Sequence, residues 1–321
     1  MPNISIIIPV HNVAQYIEET INSILQQTYK DWEALVINDG SSDSTADIVR
    51  QLAMLDNRIL LVDQKQSGVS VARNTGINLA KGRILTFLDG DDLWKPSFLS
   101  EMLAVYNQGY DLVLCDFQRL YPNNIIKDNP PNQASGSMLA AALNENLNFN
   151  MGTLLMKKEI LDDYNIIFSP EYKICEDVEF ILKLLTVCKS CYLPQKLMLY
   201  RKLRPHSATA ARWDYNTKIA SVLTMEAISD FIEQNYTGTD KEYILQTCKD
   251  KIRRSMFRYL WKLIRYGYHD QTFELLKNKD WYSEIILVNK DKLSTAERLR
   301  YVIIINRNRL FWRGISYFKQ R

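Results

Sequence analysis

Four short apolar runs alternate with helix-forming segments over about the first ninety residues, and that alternation limits the fold more than any other property of the chain. Residues 4–10, 32–37, 59–62 and 84–88 read as buried strands, with apolar side chains on both faces. Between them, Val13, Ile17, Ile21, Ile24 and Leu25 fall at helical spacing over 13–27, with Asn12 as the expected N-cap. Asp43 and Ser44 are suited to cap a helix over 45–55, and Gly82 to end one over 70–80. Strand and helix repeated in this way build a parallel sheet with helices on its faces.

The rest of the chain is less regular. Lys95-Pro96 leads into a helix over 97–107, and 111–119 reads as a strand. Residues 122–135, rich in Pro, Asn and Lys, are expected to form a surface loop. A helix over 136–144, a strand over 153–157 and a short helix over 158–163 follow, and Cys175-Glu176-Asp177 opens an amphipathic helix. A last strand covers 193–201, and from Trp213 onward the pattern is helical. Domains are expected at 1–207 and 208–321. No apolar run reaches the ~20 residues of a membrane span, and residues 1–10 lack the features of a secretory signal, so a cytoplasmic location is expected. Five cysteines fit a reducing compartment, and Cys188 and Cys191 read as packing residues.

Charge divides the chain. Residues 1–200 carry 24 acids and 16 bases, whereas 201–321 carry 13 acids and 24 bases. The basic part is expected to face something anionic.

The chemistry collects at strand exits, where open α/β sheets bind their ligands. The first exit offers Pro9, His11 and Asn12, and the second Asp39, Ser41 and Ser42. The fourth offers Asp89, Asp91 and Asp92 around Gly90, which is expected to allow a tight turn. Three acids so close either share a hard divalent cation or form a solvated turn before the next helix. Arg73 precedes them, suited to a phosphate or to the carboxylates. A dinucleotide fold of the G-x-G-x-x-G type is excluded, as is a G-x-x-x-x-G-K-[ST] phosphate loop, because neither motif is present. Any nucleotide phosphates would therefore be neutralised by metal and arginine.

Ile6-Ile7-Ile8-Pro9-Val10-His11-Asn12, Val36-Ile37-Asn38-Asp39-Gly40-Ser41-Ser42-Asp43, Gly68-Val69-Ser70-Val71-Ala72-Arg73-Asn74 and Phe87-Leu88-Asp89-Gly90-Asp91-Asp92 resemble the successive motifs of the family 2 inverting glycosyltransferases. The resemblance is strong over 4–95, looser to 207, and says little beyond. It implies a GT-A fold, with a Rossmann-like, mostly parallel sheet flanked by helices and, here, a helical C-terminal region. It implies a nucleotide-sugar half at 1–95, an acceptor half at 96–207, and a donor that is most often a UDP-sugar. Asp39 matches the acid that recognises the uracil edge, beside Pro9, His11, Asn12 and Ser41. Gln66 stands where the family often has Asn. Arg73 matches an arginine near the nucleotide. Asp89 and Asp91 match the D-x-D pair that reaches Mn²⁺ or Mg²⁺ on the diphosphate, and Asp92 the acid that follows.

Glu176-Asp177 matches the family's E-D pair, with Asp177 as the general base and Glu176 beside it. Elementary chemistry agrees with this, since an inverting transfer needs one carboxylate to take the acceptor's proton while a metal stabilises the departing diphosphate. His206 stands where relatives carry a residue close to the diphosphate, as a third metal ligand or a phosphate contact. Two other readings are a nucleotidyltransferase and a non-catalytic nucleotide-sugar-binding protein.

The C-terminal region interleaves bases with apolar and aromatic residues at 249–265 and 298–321. It fits the rim of an anionic membrane, as suits a transferase with a glycan or lipid-linked acceptor. The alternative is a helical bundle packed on the catalytic domain or on a second copy in a homo-oligomer. No groove-reading motif accompanies the charge, so nucleic acid is not an expected partner.

Overall fold

The structure, a computed structural model, describes residues 2–130, 132, 137–171, 174–202, 215–277, 279–308 and 312–313. The chain divides into two compact units, Met1–Ala211 and Arg212–Arg321.

In the first unit the expected alternation is present. Strands β1 (Ile4–Val10), β2 (Trp32–Asp39), β3 (Ile59–Gln64) and β4 (Ile84–Phe87) are separated by helices α1 (Ile17–Leu25), α2 (Thr45–Leu55) and α3 (Val69–Leu79). β1 and β2 are buried at every residue, because helices cover both faces of the sheet. There follow β5 (Leu93–Trp94), α4 (Phe98–Tyr106), β6 (Leu112–Tyr121), β7 (Ile125–Asp128), α5 (Met138–Leu143), β8 (Leu154–Lys157), α6 (Glu159–Asp163), α7 (Glu176–Val187) and β9 (Ser190–Arg201). The strand order is β3-β2-β1-β4-β8-β6-β9-β5, with β7 paired to β6. The β3-β2-β1-β4 part is parallel, and β8 joins β4 antiparallel.

β1 has β2 on one side and β4 on the other, and the two pairings end at different places. The β1–β4 ladder stops at Ile7↔Phe87, whereas β1–β2 continues through Pro9↔Ile37 to Val10↔Asn38. Ile7 O still accepts from Leu88 N at 3.0 Å, and strand alternation sends the nitrogen of Pro9 to that same side. β4 has by then diverged, so a residue without an N–H sits in a central strand at no cost in ladder bonds. Pro9 thus marks the crevice at the point where the strand order reverses.

Three local expectations are corrected. Asn12 does not cap α1, which begins at Ile17 with Tyr16 as N-cap. Instead Asn12 has φ 51° and its side chain crosses to the next strand exit. Gly82 does not end α3, because a Cβ there would lie 2.6 Å from Ser5 N and the residue is required by close packing. Gly90 does stand in the expected tight turn, which Asp92 N closes by donating to Asp89 O at 3.0 Å, and it is a contact glycine as well, with a Cβ meeting Val10 Cγ1 at 2.6 Å. Residues 122–135 are not all loop: Asn123 and Asn124, at φ 62° and 57°, turn the chain so that β7 pairs antiparallel with β6 from Tyr121↔Ile125 to Gln118↔Asp128.

The second unit is helical among its described residues, with α8 (Tyr215–Asn235), α9 (Lys241–Arg265), α10 (His269–Lys277), α11 (Lys279–Ile286) and α12 (Thr295–Ile305). It has its own core, in which Met256, Phe257, Leu260, Leu263 and Ile264 of α9 meet Leu276, Ile285 and Ile304. Among the described residues no helix is long and apolar enough to cross a membrane.

Candidate active site

The first two strand exits are stitched together by side chains. Asn12 Oδ1 accepts from Ser42 N at 2.8 Å, and Asn12 N donates to Ser41 Oγ at 3.1 Å. Ser41 N in turn donates to Asn38 Oδ1 at 3.1 Å. His11 Nδ1 lies 2.8 Å from the carbonyl oxygen of Asp39. A carbonyl only accepts, so Nδ1 carries the proton and Nε2 is left to accept from the amides of Gln66 and Asn12, each 3.3 Å away. Gln66 therefore joins Pro9, His11, Asn12 and Ser41 at one edge of the sheet.

Asp39 is 5% exposed and holds the turn that starts α3. Its Oδ1 accepts from Ser67 N and Gln64 Nε2, and Oδ2 from Gly68 N, all at 2.8 Å. Gly68 has φ 96°, a conformation that side-chain-bearing residues rarely adopt, and this lets its N–H face the carboxylate. Three donors fall short of the four or so lone-pair sites of a carboxylate, so Asp39 keeps acceptor capacity for about one more.

Arg73, on α3, is the centre of the arrangement. It is 3% exposed. Nη2 lies 2.9 Å from Asp89 Oδ1 and Nη1 3.4 Å from Glu176 Oε1. Burial works against the charge, but Asp89 and Glu176 outweigh it and raise the guanidinium pKa above its ordinary value. The guanidinium also stands 5.2 Å from the centre of the Phe168 ring. Asn74 fixes that ring's backbone, accepting from Phe168 N at 3.0 Å and donating to Phe168 O at 2.8 Å. Phe168 stacks on Phe180 of α7 at 3.9 Å, and Phe87 of β4 meets both rings edge-on. This aromatic floor sets the first turn of α7 against the exit of β4.

Glu176 and Asp177 lie in that first turn, preceded by Cys175 at φ 67°. Burial pushes the Glu176 carboxyl above its ordinary value, Asp177 adds to the rise, and Arg73 opposes it. Asp177 is half-buried, and its Oδ1 accepts from Val178 N at 2.8 Å.

The three acids after β4 differ in their surroundings. Asp89 keeps a carboxylate 29% exposed beside Arg73. Asp91 is 2% exposed, and its carbonyl accepts from Arg201 Nε at 2.8 Å. Asp92, expected among the substrate-binding residues, faces inward. It is wholly buried, and Oδ1 accepts from Arg201 N at 2.8 Å, so it locks β9 onto the acidic turn. Arg201 also pairs with Glu19 at 2.7 Å.

Asp89 and Asp91 offer hard oxygen donors of the kind Mg²⁺ and Mn²⁺ take. Among the described residues no group of three or more His, Cys, Asp and Glu converges on one point. Two carboxylates would leave the other ligand positions of such a cation to phosphates and water, the arrangement Mg²⁺ usually takes. His206 lies outside the described residues. The sequence reading missed Asn74, Phe168 and Arg201 as parts of the site. Asn74 sits in a motif already quoted, whereas Phe168 and Arg201 carry no local signal and are found only through contacts across the sheet.

Residues 5–164 match the model of "Glycosyl transferase family 2". The chain is 31% identical over 219 residues to the uncharacterized glycosyltransferase EpsJ of Bacillus subtilis, across 65% of this chain and 63% of that one. It is 32% identical over 183 residues to glycosyltransferase GlyA of Streptococcus pneumoniae, across 47% and 26% of the two chains. It is also 42% identical over 103 residues, across 32% and 41%, to TuaG of Bacillus subtilis, whose name assigns it to teichuronic acid biosynthesis. The chain thus spans less than two thirds of the length of each of these curated relatives.

Among solved structures, TarS 1–349 of S. aureus in complex with UDP-GlcNAc superposes with a TM-score of 0.69 at 18% identity, over 100% of this chain and 92% of that one. The mannosyltransferase PcManGT of Pyrobaculum calidifontis, in complex with GDP-Man and Mn2+, gives 0.55 at 16% identity, over 95% and 87%. At such identities the likeness is one of fold, which is of the GT-A type.

Proposed function

Because the chain belongs to glycosyl transferase family 2 through residues 5–164, we propose that it is a metal-dependent inverting glycosyltransferase. It moves a hexosyl or N-acetylhexosaminyl group from a UDP-sugar to a hydroxyl of a glycan or lipid-linked acceptor, in the making of surface polysaccharide. The observation that carries this reading is the Arg73 bridge, which holds Asp89 of the donor side and Glu176 of the acceptor side on one buried cation. The UDP-GlcNAc in the TarS complex makes a UDP-sugar the first donor to test.

In this reading residues 1–95 hold the nucleotide and 96–207 the acceptor. The remaining acceptor capacity of Asp39 meets the N–H of a uracil, with His11, Asn12, Ser41 and Gln66 around it. Asp89 and Asp91 would hold a Mg²⁺ or Mn²⁺ ion, which when bound neutralises charge on the diphosphate. Asp177 takes the proton of the acceptor hydroxyl. The acceptor oxygen then bonds to the anomeric carbon from the face opposite the diphosphate, and the bond to the leaving oxygen breaks with its electron pair. Arg73 keeps Glu176 from adding its full negative charge beside that base.

The test is UDP release from a panel of UDP-sugars with simple sugar acceptors and Mn²⁺ or Mg²⁺. Release that requires both acceptor and cation, and that is lost in Asp91→Ala, is expected. Pyrophosphate release from a nucleoside triphosphate and a sugar phosphate, with no UDP formed from UDP-sugars, would overturn the reading.

A further inference from the structure

α9 is two-faced, apolar on one side and basic on the other. Its inner face is apolar, with Met256, Phe257, Leu260, Leu263 and Ile264 all buried in the helical core. On the other side Lys251, Arg254, Arg258, Lys262 and Arg265 follow at steps of three and four residues, within an arc of about 80°. That arc points away from the buried face. From 251 to 265 the helix has no acid at all. Arg258, Lys262 and Arg265 are exposed and Arg254 is half-buried. Among the described residues none of these four forms an ion pair, whereas Arg253, one step round the helix, is paired with Glu284 and Asp250. Glu297 of α12 lies within the field of Arg258, but its carboxylate accepts from Ser294 N and Oγ in a capping box.

Four bases in a straight row of about 16 Å on one helix, none of them in an ion pair among the described residues, repel one another, and an anionic surface would relieve that repulsion. We propose that this row is where the protein docks on an anionic lipid bilayer. Three features favour a bilayer over a soluble polyanion. The row is straight and sits on one helix face, as a plane of headgroups requires. Aromatic residues flank it, since Trp261 lies under the Arg300 guanidinium at 5.4 Å and Tyr266, 48% exposed, follows Arg265. Such rings suit the headgroup level, where one end of the side chain is apolar and the other wet. In sequence the chain then continues through 298–321 with seven bases, five aromatics and no acid. The surface serves attachment and is independent of the transfer reaction.

The experiment is co-sedimentation of the full chain with phosphatidylcholine vesicles, with and without about a third of phosphatidylglycerol, over a range of salt. Binding is expected only to the anionic vesicles, weakening as salt rises. Replacing Arg254, Arg258, Lys262 and Arg265 with Gln should lower it about a hundredfold, at about fivefold or less per base. The pair Arg258→Gln and Lys262→Gln should lower it about tenfold, and serves if the fourfold variant melts early. A control with Lys30, Lys81, Arg83 and Lys127 changed to Gln removes the same charge from exposed sites of the first unit and should bind like the wild type. Equal binding to neutral vesicles, no vesicle binding, or an equal loss in the control would each overturn the proposal. So would binding to a soluble polyphosphate in place of vesicles.

Discussion

Arg73 Nη2 stands 2.9 Å from Asp89 Oδ1, and through this contact a buried helix residue holds the most exposed carboxylate of the acidic turn. The same guanidinium reaches Glu176, 103 residues further along the chain. Removing the cation leaves two partly buried acids facing one another. Arg73→Met is expected to cost about 2–4 kcal/mol in urea unfolding. A cycle with Asp89→Asn should show about 1–2 kcal/mol of coupling. Strict additivity of the two single variants would mean that the pair contributes no interaction of its own.

The raised pKa of Glu176 has a consequence for stability. A carboxyl whose pKa is higher in the folded chain than in the unfolded one binds the extra proton in the native state. Its contribution is fully present below the ordinary glutamate value of about 4.3 and is lost as pH rises through the raised value. Glu176→Gln removes the titration. Urea midpoints of wild type and variant should therefore converge at low pH, and the variant should gain on the wild type as pH rises through this window. A difference that does not change with pH would contradict the shift.

Asp177→Asn keeps the shape of the side chain and one oxygen for Val178 N but cannot take a proton. Turnover is expected to fall by about 10²–10⁴, the usual contribution of a positioned base, with UDP affinity by calorimetry changed by less than about threefold. Full turnover in this variant would assign the base elsewhere.

Two contact glycines should respond differently to a methyl group. At Gly76 a Cβ would lie 2.4 Å from Ile7 Cγ2, a branched side chain buried in the central strand. At Gly152 it would meet the terminal carbon of Met198 at 2.7 Å, at the flexible end of a thioether. Gly76→Ala is expected to destabilise by about 1–3 kcal/mol and Gly152→Ala by less, read as shifts in thermal midpoint.

The parallel part of the sheet was legible because buried strands there are continuous apolar runs, and 45–55 gave the bounds of α2 as observed. β7 was not legible: Ile125 and Ile126 are 50% and 48% exposed, so no buried face leaves a period of two in the sequence. The acids were visible as a cluster, but their division of labour was not. Whether Asp92 meets a ligand or the backbone of Arg201 depends on β9, and no local pattern reports a partner 109 residues away. Gly82 was read as the end of a helix because a glycine required by a neighbour's atoms looks the same in sequence as one required by its own φ.

That clasp between Asp92 and Arg201 orders events during synthesis as well. A ribosome adding ~5–20 residues per second needs roughly 5–20 s to travel from one to the other. Throughout that interval the nascent chain has made β1 to β4 but not the strand that fastens the acidic turn. A completed cleft therefore cannot exist on a growing polypeptide until β9 has been made and has found its neighbours.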